Sequence, residues 1–295
     1  MFPGFRVAAV EAFNCEGAGQ CPQLKRGSLG CTNRSGVPAV DTRQFYDDLA
    51  PYYDLIFENW DASMSRQGAA LEHLIESELG AADPEALPTR ILDVACGIGT
   101  QALPLAGRGF RVTARDLSPG AIARLRQEAQ VRQVVIDTAV ADMRNVAATV
   151  SAPFDVVMAF DNSIPHLTSD SDVRAALQEF RKVLRRGGLC LCSVRDYDAV
   201  PRGVAATHPY GERRRGEEVF RLRQEWTWES STHYQVAFIV EKEAPNGHTT
   251  LLRTVTRYYA LPIPRLLELM AGAGFADCRR LDDIIYQPIV IGRAA

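Results

Sequence analysis

The sequence has 295 residues, of which 46% are hydrophobic, and its formal net charge is -3. This length can bury a full core, so we expect one domain with an elaboration, and the slightly acidic balance without a dense Lys or Arg block argues against a nucleic-acid partner. The sequence shows neither an apolar run long enough to span a bilayer nor a signal-peptide pattern, so we expect a cytoplasmic protein with no membrane partner.

Residues 1–40 are rich in Gly, Cys, Asn and Ser and show no sustained periodicity. Such a segment is expected to be poorly ordered. Cys15, Cys21 and Cys31 lie within it, but their spacing matches no zinc pattern and no histidine is nearby. We therefore predict no metal site.

Residues 41–89 are predicted to form an N-terminal helical lid. A first helical pattern is broken at Pro51, and a longer helix begins near Asp61 or Ser63 and stops before Gly80. The apolar residues that recur at helical spacing are Phe45, Leu49, Tyr53 and Phe57 in the first part and Leu71, Leu74, Ile75 and Leu79 in the second.

Residues 90–198 alternate between short apolar runs and amphipathic segments, which predicts an α/β fold with a doubly wound sheet and right-handed crossovers. The predicted strands begin at Arg90 and continue at residues 110–114, 135–140, 154–160 and 189–194, with a helix over 170–186 that stops at two glycines. Ligands of such sheets bind outside the carboxyl ends of the strands. Those ends carry Asp93 with the glycines, Asp116, Asp142, Asn162 with His166, and Arg195.

Residues 199–260 change character and contain three long alternating runs separated by turn residues, at 219–228, 234–243 and 250–260. We interpret these runs as an inserted antiparallel β lid or dimer surface. Its exposed edge would allow two copies to pair, so a homo-oligomer is an open alternative. Arg213, Arg214 and Arg215 are interpreted as part of a solvated loop. Residues 261–295 complete the core sheet with a helix and two strands, at about 264–273, 278–281 and 285–291.

Three motifs follow successive strands: DVACGIGT, the acid in VTARDLSP, and ADM. Together they resemble the three cofactor contacts of a class I methyltransferase that uses S-adenosylmethionine, from about Phe45 to the end of the chain. Dinucleotide enzymes share the glycine turn and the acid, but their usual GxGxxG is absent here. The resemblance implies a mostly parallel Rossmann-like sheet with an antiparallel last strand, and S-adenosyl-L-methionine as the cofactor.

The cofactor suggests a role for each motif residue. Gly97 and Gly99 would let the backbone approach the ligand, Asp116 would accept from the ribose hydroxyls, and Asp142 from the adenine amine. The alternative makes Asp116 and Asp142 ordinary caps and Asp93 a loop brace. The family's arginine for the methionine carboxylate falls on Arg66, and the full predicted contact set is Arg66, Asp93, Ala95, Gly97, Gly99, Asp116, Leu117, Asp142, Met143 and Phe160.

The segments FDVVMAFDNSIPHL, LCSVRDYD and RYYALPIPRLLELM are similar to glycine N-methyltransferases and glycine/sarcosine methyltransferases. The resemblance implies that Arg195 clamps the carboxylate of a small-molecule substrate and that Asn162 accepts from its amine. His166 and one of two paired tyrosines, taken as Tyr259, complete the predicted catalytic set. Two alternatives stay open: Arg195 forms a surface ion pair with Asp196 or Asp198, and His166 braces a loop.

Three functions follow from these motifs. The first is methyl transfer to the nitrogen of a small amine or amino acid resembling glycine or sarcosine. The second is methylation of another small molecule, such as an amino sugar or a natural-product nitrogen or oxygen, and the third is a non-catalytic cofactor-binding or assembly protein. In the first two, alignment of the reactants would supply most of the rate, so we expect no indispensable general base.

Overall fold

The structure is a computed structural model that describes residues 41–80 and 87–295. The expectations for residues 1–40, including the three cysteines there, lie outside the described residues. None of the helices in the described ranges is long and apolar enough to cross a membrane.

Helical segments precede the sheet. Helix α1 spans Thr42–Leu49, and a 3₁₀ turn at Ala50–Ile56 carries Pro51 in its first turn. Helix α2 spans Trp60–Leu79. Its cap is Asn59, whose side chain accepts a hydrogen bond from the Ala62 backbone amide, so α2 begins slightly earlier than the predicted caps.

The core sheet has seven strands, which are β1 (Arg90–Asp93), β2 (Arg111–Asp116), β3 (Asp137–Val140), β4 (Phe154–Ala159), β5 (Leu184–Ser193), β10 (Phe275–Leu281) and β11 (Ile289–Ala294). Their order across the sheet is β10-β11-β5-β4-β1-β2-β3. The pairs from β5 to β3 are parallel, whereas β11 is antiparallel to both of its neighbours. This arrangement confirms the predicted doubly wound sheet with an antiparallel last strand.

Helices cover both faces of this sheet. They are α3 (Ala102–Gly107), α4 (Pro119–Val131), α5 (Asp170–Val183) and α6 (Ile263–Gly272). Within β1, Leu92 packs in the cluster that contains α5 and α6, while Ile91 packs in the cluster that contains α2, α3 and α4. Both residues are fully buried, as expected for a parallel strand covered on both faces.

The junction between α5 and β5 differs from the prediction. The helix ends at Val183 rather than Arg186, and Gly187 and Gly188 lie inside strand β5. The pairing of β5 with β4 shifts register between Phe154 and Val156. The glycines therefore accommodate an irregular strand instead of stopping a helix.

The inserted sheet has four antiparallel strands, one more than predicted. They are β6 (Ala206–Arg215), β7 (Glu218–Trp228), β8 (His233–Glu243) and β9 (Thr249–Tyr259), in that order. The loop interpretation of Arg213 and its neighbours was wrong, because Arg213 pairs with Phe220. Since β6 is an edge strand with mostly exposed side chains, it lacks the alternation that marks a half-buried strand. Pairing of two copies through this edge stays a prediction.

The inserted sheet packs on the N-terminal helices. Phe45 and Leu49 from α1 share a buried cluster with Phe220, Phe238 and other lid residues. Burial of one such side chain stabilises the fold by roughly 1.5–3 kcal/mol. The inserted sheet is thus packed against α1, which itself reaches the carboxyl edge of the core sheet.

Candidate active site

A cavity of about 250 Å³ lies at the carboxyl ends of β1, β2 and β4. The turns after these strands form one wall, and α1 with the following 3₁₀ turn forms another. Its lining includes Tyr46, Tyr53, Ala95, Gly97, Gln101, Asp116, Leu117, Asp142, Met143, Phe160, Asp161 and His166.

The two glycines of the β1 turn have different surroundings. Gly97 has a φ of +51° and lines the cavity, and a Cβ added there would meet no atom within 4 Å. Gly99 has a φ of +100°, and its Cβ would lie 2.5 Å from Leu125 Cδ1 and 2.7 Å from Leu103. Gly97 therefore provides the open cradle. Gly99 does not line the cavity, so its predicted ligand contact is not supported. Its lack of a side chain instead leaves space for Leu103 and Leu125 in the core.

Asp116 ties the glycine turn to the start of α4. Its Oδ2 accepts the Gly97 backbone N–H at 2.8 Å, and its Oδ1 accepts the Ser118 backbone N–H at 2.8 Å. Burial raises the pKa of Asp116, although these two hydrogen bonds oppose the rise. Each carboxylate oxygen can accept more than one hydrogen bond, so the side chain retains capacity for two hydroxyl donors of a ligand.

Asp142 lies beside Met143 at the cavity wall, and Arg144 donates hydrogen bonds to its carboxylate. Arg144 Nη2 donates to Asp142 Oδ2 at 2.6 Å, and Nε donates to Oδ1 at 3.1 Å. Burial alone would raise the pKa of Asp142, but the hydrogen bonds from Arg144 outweigh burial and lower it. Arg144 also donates to Asp172 at 3.2 Å. Arg144 would therefore keep a second carboxylate partner when a ligand donor occupies one of the acceptor sites of Asp142.

Besides Gly99, two predicted cofactor contacts are not in the cavity lining. Arg66 is on the exposed face of α2, while the next residue, Gln67, is buried and accepts a hydrogen bond from Gln101 at 2.9 Å. The prediction for Arg66 is therefore not supported, since its position on the helix turns it away from the site. Asp93 is buried, and its Oδ1 accepts the Ala95 N–H at 3.2 Å, so it braces the turn.

Tyr46 and His166 form a polar pair at the cavity wall. Tyr46 Oη and His166 Nε2 are 2.7 Å apart, and His166 Nδ1 is 3.3 Å from Thr256 Oγ1 on β9. Burial lowers the pKa of His166 to about 3, so the imidazole is neutral at pH 7. A neutral ring has one donor and one acceptor nitrogen, which suits two hydroxyl partners.

Asn162 is buried and is not in the cavity lining. Its Oδ1 accepts the Arg195 backbone N–H at 3.0 Å and the Tyr197 hydroxyl at 3.3 Å, and its Nδ2 donates to Tyr197 at 2.9 Å. These internal bonds occupy the side chain, so the structure gives no support to the prediction that it accepts from a substrate amine. Asn162 instead fixes the backbone at Arg195.

The Arg195 guanidinium lies among aromatic rings of the inserted sheet. Its Nη1 donates to the Tyr234 hydroxyl at 3.2 Å, and its Cζ is 4.9 Å from the Trp226 ring centre and 5.8 Å from that of Tyr258. Within the described residues it makes no ion pair, so the alternative of pairing with Asp196 is not supported. Asp196 instead binds Arg280 at 2.8 Å.

Of the two paired tyrosines, the one facing the site is Tyr258 and not Tyr259. The Tyr258 ring centre is 4.1 Å from that of His166. Tyr259 points to the opposite face of β9, where its hydroxyl donates to Asp170 Oδ1 at 2.9 Å. The choice of Tyr259 for the catalytic set is therefore corrected to Tyr258.

Asp161 also lines the cavity, although the sequence analysis did not single it out. It precedes Asn162 in the turn after β4, and both residues have positive φ values of 57° and 62°. Two adjacent residues in the left-handed region leave no pattern of hydrophobic periodicity. The Asp-Asn pair itself is a usable signal, because these residues tolerate that region better than most others.

The fold and the cavity define a class I methyltransferase architecture. Residues 91–188 match the family model described as a methyltransferase domain. Among solved structures, Streptomyces venezuelae DesVI aligns over 83% of this chain and 98% of its own, with a TM-score of 0.69 and 18% identity. The sugar N-methyltransferase KedS8 from Streptoalloteichus aligns over 91% of this chain and 99% of its own, with a TM-score of 0.66 and 15% identity.

Curated relatives agree with the motif resemblance. The glycine/sarcosine N-methyltransferase of Parasynechococcus marenigrum is 30% identical over 56% of this chain and 55% of its own length. Human glycine N-methyltransferase is 32% identical over 38% of this chain and 42% of its own length. The chain thus spans about half the length of the curated relatives it matches. These matches confirm the predicted resemblance to class I methyltransferases related to the glycine N-methyltransferases.

Proposed function

We propose that this protein transfers a methyl group from S-adenosylmethionine to the nitrogen of a small amine that carries a carboxylate. The observation that carries the proposal is one continuous cavity. It joins Gly97, Asp116 and Asp142, which we call its cofactor wall, to Tyr46 of α1 and His166 of the turn after β4, which we call its lid wall.

The residues present fit the cofactor. Gly97 leaves open space where a side chain would project, Asp116 retains acceptor capacity for two ribose hydroxyls, and Asp142 with Met143 suits an adenine edge. When bound, S-adenosylmethionine would supply an electrophilic methyl group on a sulfonium. The relatives' names support the same cofactor use, since CalS10, an amino pentose methyltransferase, is described as S-adenosylmethionine-bound.

The chain's own residues would bind and align the acceptor. Arg195 offers the guanidinium for an acceptor carboxylate, from among the aromatic rings of Trp226 and Tyr258. His166 keeps the Tyr46 hydroxyl fixed in the cavity wall without carrying a charge. Exclusion of water and alignment would provide most of the rate, as expected when the nucleophile needs only to be neutral.

A second candidate acceptor is an amino sugar. The specific observation is the shared fold: the sugar N-methyltransferase KedS8 superposes on 91% of this chain and the amino pentose methyltransferase CalS10 on 79%. An amino sugar would need no carboxylate clamp, so Arg195 separates the two candidates.

The test measures label transfer from S-adenosylmethionine to glycine, sarcosine, other small amines, amino sugars and hydroxyl compounds. We expect transfer to an amino acid. The Arg195→Ala variant should raise KM for that acceptor about tenfold or more, since it removes a charge-assisted contact, while the Kd for S-adenosylhomocysteine changes less than about twofold.

The matched control is Arg202→Ala, which removes an exposed arginine that binds Asp198 and backbone carbonyls nearby. This variant should behave like the wild type. Transfer to amino sugars that is insensitive to Arg195→Ala would favour the second candidate. Tight binding of S-adenosylhomocysteine without transfer to any compound would favour a non-catalytic protein.

A further inference from the structure

We propose that the Asp161 carboxylate binds an ammonium group of a ligand, at the junction between the cofactor wall and the lid wall of the cavity. This inference rests on the proposed function and adds to it the charge that the site recognises. Asp161 lines the cavity in the turn after β4, next to Phe160 and close to the lining residue Gln101.

The backbone of this turn holds the side chain in place. Asp161 and Asn162 have φ values of 57° and 62°, in the left-handed region that residues other than glycine rarely adopt. Strand β5 holds both residues there. The Asp161 N–H donates to Ser193 Oγ at 2.8 Å, and the Asn162 N–H donates to Ser193 O at 3.1 Å. Strain secured in this way at a cavity wall is typical of a functional position.

Hydrogen bonds also fix one carboxylate oxygen and leave the other available. Oδ1 accepts from Gln101 Nε2 at 3.1 Å and from the Tyr286 hydroxyl. Gln101 Nε2 also donates to Gln67 Oε1, which anchors this arrangement to α2. Within the described ranges Oδ2 has no hydrogen-bond partner, so it remains an acceptor for a ligand donor.

The carboxylate has no cationic partner in contact among the residues that the structure describes. Arg195 is near enough to oppose the rise that burial causes in the pKa of Asp161, but the two side chains form no ion pair. None of the other titratable side chains around it supplies a positive charge; they are Tyr53, Tyr210, Tyr286 and Asp93. A partly desolvated carboxylate without a cationic partner is unfavourable, and a ligand ammonium would compensate its charge.

Two ligand groups share this chemistry: the α-ammonium of the cofactor's methionine part and the ammonium form of the acceptor. Gln101 belongs to the turn of the cofactor wall, whereas Tyr286, which donates to the same carboxylate oxygen, belongs to the segment before β11. Asp161 is therefore placed to bind the ammonium group of either the cofactor or the acceptor, and binding measurements distinguish the two.

The experiment compares the wild type with Asp161→Asn by calorimetry. Asparagine keeps the shape and tolerates the left-handed region, so the fold should be retained while the charge is lost. The probes are S-adenosylhomocysteine, its analogue with hydrogen in place of the α-amino group, and glycine or sarcosine added to the S-adenosylhomocysteine complex. Asp198→Asn, an exposed acid beside Arg202, is the matched control and should leave every affinity unchanged.

If the cofactor is the source, Asp161→Asn weakens S-adenosylhomocysteine about tenfold or more and leaves the deamino analogue within about twofold. If the acceptor is the source, the affinity for S-adenosylhomocysteine is unchanged and the affinity for glycine or sarcosine falls about tenfold or more. Unchanged affinities for all probes would overturn the assignment. Failure of the wild type to bind S-adenosylhomocysteine would instead contradict the proposed function.

Discussion

Gly97 and Gly99 are two residues apart in the β1 turn, and their environments predict opposite effects of the same substitution. Gly97→Ala places a methyl group in open cavity space, so it should weaken S-adenosylhomocysteine binding about tenfold or more at a strain cost of about 1–2 kcal/mol. Gly99→Ala places it against Leu125 and Leu103, so overpacking and strain together should reduce the free energy of unfolding by about 2–4 kcal/mol.

Calorimetry and urea unfolding check this pair, and each variant is the control for the other. Comparable loss of binding in both variants, with equal stability, would contradict the separate roles. Gly274→Ala is a third comparison: it has a φ of +93° far from the cavity lining and should cost stability without changing the affinity.

Sequence patterns at the residue scale located the cofactor wall better than the acceptor wall. Gly97, Asp116 and Asp142 follow successive parallel strands, so the fold itself brings them to one edge. Arg66 was misplaced because a one-residue difference on a helix turns a side chain by about 100°. Asn162 was assigned a substrate contact and Asp161 none, because the left-handed turn after β4, which directs Asp161 to the cavity and buries Asn162, leaves no periodic pattern.

Three elements meet at His166: α1 through Tyr46, the 3₁₀ turn Ile164–His166, and β9 through Thr256. Burial lowers the pKa of His166 to about 3, whereas an unfolded histidine has a pKa near 6.5. Between these values the unfolded chain binds a proton that the folded chain does not. Acidification within this window therefore favours unfolding, and the contribution of His166 to stability is complete above about pH 6.5.

From this linkage we expect acidification from pH 7 to pH 5 to cost the wild type about 2 kcal/mol more than His166→Gln. Urea unfolding at the two pH values measures the difference. Buried acids such as Asp93 and Asp116, whose pKa values are raised, act in the opposite direction, but they are present in both proteins and cancel. His248→Gln, in an exposed turn, should keep the wild-type pH dependence, and the same slope in His166→Gln would refute the prediction.

At the element scale, periodicity identified strands that bury one face and overlooked those that do not. β7, β8 and β9 carry Phe220, Phe238 and Tyr258 inward at every second position, and they were predicted within a residue or two. β6 is mostly exposed, and its arginines satisfy the backbone of the N-terminal helices: Arg213 donates to Phe57 O at 3.0 Å. Contacts of this kind depend on the tertiary fold and leave no local pattern.

At the scale of the whole molecule, the cavity lies between the core sheet and α1, and α1 packs on the inserted sheet, so a ligand would bridge the core sheet and α1 directly. Binding to the folded state alone adds RT ln(1 + [L]/Kd) to stability, which is about 2.7 kcal/mol at a concentration of 100 Kd. For a chain of this size that increment should raise Tm by about 5–10 °C. Thermal unfolding with S-adenosylhomocysteine at 100 Kd measures the shift directly.

The same measurement separates the two classes that share a glycine turn and an acid on the second strand. NAD at equal concentration should leave Tm unchanged, because the turn lacks the third glycine of GxGxxG and Gly97 opens toward a cavity that α1 and the following 3₁₀ turn also line. With a tenfold weaker affinity, Gly97→Ala should retain only about half of the shift at the same concentration of S-adenosylhomocysteine, because [L]/Kd falls to about 10. An equal shift in that variant would show that the ligand binds elsewhere, since binding in this cavity requires the open space beside Gly97.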